Sequence, residues 1–147
     1  MRNIKTIIKQ WAAPALCGFF IFILFKFVFF IGYVPTESME PTIKSGSCIF
    51  GHRITGEIQR GDIVVFSSDG FMLVKRVAAI PGDMIYIDDT RGIISVNQEL
   101  PDAAMILTIP YGCYFMLGDN AENSFDSRFW ENPFIQKTQI IAKVCKK

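Results

Sequence analysis

"RGDIVVFSSDGFMLVKRVAAIPGD", residues 60–83, decides the fold. Within it, "GDIVVF" (61–66) and "FMLVKRVAAI" (71–80) are short runs of branched and bulky apolar residues, the composition of strands. "SSDG" between them is a turn-forming cluster, and "PGD" (81–83) ends the second run in a tight turn. Along the second strand alternate residues share a face. Lys75 therefore lies with Phe71, Leu73 and Val77, while Arg76 lies with Met72, Val74 and Ala78.

The same alternation of short apolar runs and Gly, Pro or Asp turns continues downstream. "MIYID" (84–88), "IISV" (93–96), "YGCYFML" (111–117) and "QIIAKV" (139–144) read as strands, with "DDTRG" (88–92) as a turn between the first two. Residues 34–147 are thus expected to be mainly β, a small antiparallel barrel or sandwich. A chain of 147 residues has room for one such domain and a short extra element. Its net charge of +1, with no long basic run, gives no electrostatic footprint for nucleic acid.

The 50% hydrophobic composition is concentrated at the front. "WAAPALCGFFIFILF" (11–25) is uncharged and flanked by Lys9 and Lys26, whose long side chains can reach the headgroups. As a helix it would be about 22 Å long, somewhat short of a bilayer's roughly 30 Å hydrocarbon core. Pro14 is expected in its first turn. "KFVFFIGY" lacks the small residues of a secretion cleavage site, so the segment is expected to remain as an uncleaved anchor. Arg2, Lys5 and Lys9 precede it, which keeps residues 1–10 cytoplasmic and sends the rest outward. Phe27, Phe29, Phe30 and Tyr33 are expected to form an aromatic strand on the outer leaflet, so that anchor and membrane-surface segment together cover residues 11–33. Among Cys48, Cys113 and Cys145 an oxidising compartment would permit one disulfide, and the sequence does not choose a pair. Cysteine and histidine spacings match no zinc site, and no metal or cofactor is expected.

Three polar features remain. Lys75, between apolar neighbours, either sits at a rim with its ammonium in water or is buried, where desolvation lowers its pKa. Every tenfold fall in proton affinity takes about 1.4 kcal/mol of destabilisation. A neutral buried lysine is a general base that needs no histidine. Ser38 in "VPTESMEPT" (34–42) is ordinarily a turn or cap residue, yet Pro41 biases Glu40 toward extended geometry and fixes an exposed turn. Thr36 would lie on the same side, a second oxyanion donor beside the Ser38 backbone N–H. "GDNAENSFDSR" (118–128) reads either as a polar loop or as a brace, with Asp126 paired to Arg128 and Ser124 orienting the Lys75 amine.

Together, and in this order after an amino-terminal anchor, "SMEPT", "RGDIVVF", "VKRVAAIPGD" and "GDNAENSFDSR" resemble the signature segments of the bacterial type I signal peptidases, membrane-anchored serine–lysine proteases. The resemblance covers residues 34–128. It implies that Ser38 is the acylated nucleophile, Lys75 its base, and Thr36 the oxyanion-binding hydroxyl where the family has serine. It implies supporting roles for Ser124, Asp126 and Arg128, and apolar pockets lined by Val34, Pro35, Met39, Ile43 and Val74. The implied substrates are membrane-tethered precursors with small residues at −1 and −3, cleaved on the outer face of a bacterial cytoplasmic membrane. Departures are visible too. Only 34 residues separate Asp83 from Gly118, which leaves no room for the second β domain of larger members. "FWENPF" after Arg128 lacks the glycine of the family's aromatic–aromatic–glycine run. A dedicated maturation peptidase of a conjugative or pilus system, acting on pilin-like partners, is one alternative. A non-enzymatic envelope assembly domain is another.

Overall fold

The "IVVF" run is apolar at every position because its strand is central and covered on both sides: Ile63 and Val65 enter one core cluster, Val64 and Phe66 another. The computed structural model that places them describes residues 4–88, 93–101 and 103–145, without the side chains of 4–9 and 93. The "DDTRG" turn falls mainly on residues 89–92, outside those described. In chain order the elements are helix α1 (Ile4–Phe27) and strands β1 (Phe29–Val34), β2 (Ser47–His52), β3 (Ile63–Ser68) and β4 (Phe71–Ala79). Strands β5 (Met84–Asp88), β6 (Ile93–Val96), β7 (Met105–Thr108), β8 (Cys113–Leu117), β9 (Phe134–Gln136) and β10 (Ile140–Val144) complete the fold.

Seven strands form one antiparallel sheet in the order β1-β2-β10-β3-β4-β8-β9, and β6-β5-β7 form a second. The mainly β, antiparallel architecture is the one expected, but no barrel closes among the described residues. The end strands β1 and β9 do not pair with each other, so the large sheet stays open. The interval from Asp83 to Gly118 also holds more than expected. Its short strands pair around β5 and share one apolar seat, Ile85 and Ile109 against Ala79 and Phe115 of the large sheet.

The helix starts earlier than the apolar run suggested. Twenty-four residues give about 36 Å, enough to cross a bilayer, and Pro14 lies inside the helix rather than in its first turn. There it removes one hydrogen bond, to the Gln10 carbonyl, and favours a kink. Residues Gln10–Phe27 form one apolar span that is not buried against the rest of the chain. Of the aromatic segment expected as a strand, Phe27 instead ends the helix. Phe29, Phe30 and Tyr33 do lie in a strand, with Phe29, Ile31 and Tyr33 exposed and Phe30 and Val34 buried. Only Val28 separates helix from strand. Its N–H continues the helix to Leu24 O at 2.9 Å, while its carbonyl accepts Arg53 N at 2.7 Å. Cys17, Cys48, Cys113 and Cys145 are all free thiols.

Candidate active site

Val34, buried at the end of β1, is four residues from Ser38, and the intervening turn is held by its backbone. Glu40 N donates to Glu37 O at 3.0 Å and Ile43 N to Met39 O at 2.8 Å. From the other side, Asn120 N donates to Ser38 O at 3.1 Å and Asn120 Nδ2 to Glu37 O at 3.2 Å. The turn is thus strapped to the 118–128 loop, and Ser38 is only 7% exposed. Its Oγ lies 3.3 Å from Thr36 Oγ1.

Lys75 is 4% exposed, not a rim residue. On β4 it lies between Leu73 and Val77, with Val64 of β3 opposite, so its stem is seated in apolar core. Nζ donates to Ser124 Oγ at 3.0 Å, and Ser124 Oγ donates to Asp126 Oδ2 at 2.7 Å. The direction of this chain is chemically forced. An ionised carboxylate only accepts, so the one Ser124 proton is committed to Asp126 and the Ser124 oxygen must accept from Lys75. The lone pair of a neutral Lys75 amine is therefore not consumed by Ser124.

The electrostatics suit a neutral amine. Burial lowers the Lys75 pKa; the Asp126 charge opposes this and the Arg128 charge reinforces it, and the net direction is down. Asp126, fully buried, would be raised by desolvation. The Arg128 guanidinium, the Gly118 N–H and the Ser124 hydroxyl together outweigh that and hold it below the usual carboxylate range. Arg128 reaches it through Nε at 2.8 Å and Nη2 at 2.9 Å, and Gly118 N at 2.9 Å. The expected Asp126–Arg128 pair is therefore present, and it neutralises much of the negative charge that would otherwise keep Lys75 protonated.

Two positions that the sequence did not single out complete the arrangement. Asp119 holds Arg76 of β4 in a bidentate pair at 2.7 and 2.6 Å, which fastens the loop to the strand bearing Lys75. Gly118 sits where a Cβ would meet Ser124 Oγ at 2.1 Å and Ser38 O at 2.5 Å. Glycine is the residue that lets the Ser38 turn and Ser124 share that space.

Ser38, Thr36 and Lys75 open onto one cavity of about 320 Å³. Val34, Pro35 and Val74 line it, as expected; Met39 and Ile43 do not, and pack in the core beneath. Tyr33, Met72, Leu73, Asn123 and Phe125 complete the wall. β8 pairs with β4 only from Arg76 onward. One edge of Phe71–Lys75 is therefore not covered by β8, and it runs beside the cavity.

A model of the signal peptidase, peptidase S26, family matches residues 7–106 and 94–146, nearly the whole chain. The chain belongs to that family. Among its relatives, signal peptidase IB of Staphylococcus aureus is 32% identical, with the alignment covering 95% of this chain and 88% of that protein. Signal peptidase I of Bacillus licheniformis is 31% identical, covering 86% and 81%. Signal peptidase I of Pseudomonas aeruginosa is 30% identical over 81% of this chain, which spans 61% of that longer relative. A crystal structure of a signal peptidase I from Enterococcus faecalis overlaps 60% of this chain and 97% of its own at 23% identity, with a TM-score of 0.46. Both family-model matches run through 94–106, so the signal peptidase signature extends across the small second sheet as well as the large one.

Proposed function

We propose that this chain is a membrane-anchored serine endopeptidase that removes signal peptides from exported precursors by Ser–Lys chemistry. The observation that carries the reading is the buried Lys75, whose hydrogen bond to Ser124 is fixed in direction by Asp126 and which opens on the same cavity as Ser38. A precursor segment lies extended along the free edge of Phe71–Lys75, where backbone hydrogen bonds hold it and alternate side chains enter the cavity. The Ser38 hydroxyl swings from Thr36 toward Lys75 and gives its proton to the amine, while Oγ bonds the scissile carbonyl carbon. Negative charge on the carbonyl oxygen is met by the Ser38 N–H and the Thr36 hydroxyl. The Lys75 ammonium then protonates the leaving amine. Water attacks the Ser38 ester, yielding its proton to Lys75, and the acid departs as Ser38 regains its hydroxyl.

Val34, Pro35 and Val74 shape the shallow apolar walls that favour small residues at −1 and −3. α1 is the bilayer anchor, its amino end cytoplasmic and residues 34–147 on the outer face, with the exposed rings of β1 at the lipid surface. The deciding experiment incubates the detergent-solubilised protein with a general secretory precursor and with pilin-like precursors, and sequences the new amino termini. Cleavage after small residues that is lost in Ser38→Ala supports the reading, and the preferred precursor separates a general peptidase from a dedicated one. No cleavage, together with no acylation of Ser38 by a penem, points instead to a non-enzymatic envelope domain.

A further inference from the structure

Beyond Phe125, which forms part of the catalytic cavity's wall, lies a second cavity of about 650 Å³ that the chemistry above does not use. It is lined by the β3–β4 turn (Ser68 and Asp69) and by residues of the "FWENPF" segment (129–134). Three properties define it. Its acidic side chains, Asp69 and Glu131, are both exposed, and no Lys or Arg lines it. Its aromatic wall is exposed at Phe125: Phe125 and Phe129 stack with centroids 6.1 Å apart and are 68% and 58% exposed. The guanidinium of Arg128, itself paired with Asp126, already lies 5.1 Å from the Phe129 ring centroid, so Phe125 is the ring free to meet a ligand. Its frame is fixed, since Trp130 packs edge-on against buried Phe66, and Gln139 Nε2 ties it to Ser67 O at 3.0 Å.

We propose that this cavity is a substrate subsite selecting a lysine or arginine side chain of the precursor, several residues from the scissile bond. The inference rests on the peptidase reading above. Its occupant follows from continuity: a chain running along the free edge of β4 passes Lys75 at one end and reaches the β3–β4 turn at the other. Lys75 and Asp69 are six residues apart, so a segment in register with β4 brings the residue four to six positions from the cleaved bond to the cavity. Acidic groups at the rim attract a cation, and the exposed Phe125 ring binds its face or its alkyl stem. An acidic precursor residue at that position meets like charge and is disfavoured. Selection at this cavity thereby confines the enzyme to a subset of precursors.

The test uses the full-length protein in detergent and a peptide series with a fixed small-x-small cleavage site. A single Lys, Gln or Glu is moved through positions three to six on either side of the scissile bond. At one position Lys should exceed Glu in kcat/KM by roughly five- to tenfold, the scale of exposed charge and cation–π contacts. The Asp69→Asn/Glu131→Gln double variant should lose that preference while cleaving the Gln peptide as the parent does. Equal rates at every position, or a preference that survives the double variant, overturns the proposal. Binding of the same peptides to Ser38→Ala protein, with and without the two neutralising changes, reads the subsite independently of turnover. If the chain cleaves nothing yet binds the Lys peptide selectively through those two residues, the peptidase reading fails and the subsite stands. If it cleaves without discrimination, the subsite fails and the peptidase reading stands.

Discussion

Gly118→Ala is the most discriminating perturbation of the catalytic arrangement. The added methyl would lie 2.5 Å from Ser38 O and 2.1 Å from Ser124 Oγ, and ordinary contact begins at 3.4 Å. Rotating Ser124 would move its Oγ at the cost of its bonds to Lys75 and Asp126. Its Cβ, also 2.5 Å from the added methyl, would stay, so the chain at Ser124 must shift as well. The Ser38 carbonyl is backbone and must move by about 0.9 Å, carrying the nucleophile turn with it. A displacement near 1 Å from productive geometry costs on the order of 10²-fold in rate. The expected result is a fall in kcat of that size, with KM for a short peptide changed far less. Gly112→Ala is the control, because that site has open space around it but a φ of +74°. It should lose about 1 kcal/mol of stability and keep its activity. Progress curves on a fluorogenic peptide and thermal melts of both variants make the comparison. Gly118→Ala protein within threefold of the parent's kcat would refute the claim that this close approach positions the nucleophile.

Further outcomes follow from the same geometry. Ser38→Ala and Lys75→Ala should each abolish turnover, and the double variant should be little worse than either, because the two act as one unit. Activity should rise with pH along a limb below the normal lysine range, because only the neutral amine accepts the Ser38 proton. Since the folded-state pKa of Lys75 lies below its unfolded value, the unfolded chain binds more protons as pH falls. Lys75→Met should therefore raise the melting temperature most near pH 6 and progressively less toward pH 10. Arg128→Met leaves Asp126 buried without its cation and should cost about 3–5 kcal/mol near neutrality. That loss should shrink under acid conditions, as the lowered Asp126 pKa is approached from above. Deleting residues 1–27 should give a folded domain, whereas deletion through Val34 removes β1 and should not; circular dichroism distinguishes them.

The sequence was most readable where local chemistry and tertiary environment agree. β5 and β6 match the runs "MIYID" and "IISV" residue for residue, and the hairpin of β3 and β4 follows from two apolar runs around "SSDG". Lys75 drew attention as a cation between apolar neighbours, whereas Ser38, an ordinary turn residue taken alone, was singled out by the resemblance of its segment to the signal peptidases. β2 was not legible, because its Gly51 weakens any strand signal. That glycine answers a tertiary need, since a Cβ there would strike Lys143 O of β10 at 2.6 Å. β9 has three residues, too few for a period. Gly118 and Asn120 show their roles only when the chain brings 118–128 against 37–38. Met39 and Ile43 were expected as pocket walls because the family resemblance implied it, but the turn sends both into the core.

The joint at Val28 has a consequence for reach. Helix and nucleophile strand are separated by one residue, and Arg53 pins that joint through Val28 O at 2.7 Å and Phe29 O at 3.2 Å. β1 then advances about 20 Å over its six residues before the turn to Ser38. The separation of Ser38 from the helix exit is thus set by a stiff spacer of constant length. On the proposed reading, a precursor must bring its labile bond to one fixed distance from the end of the anchor, which would make position, alongside side-chain identity, a criterion of selection.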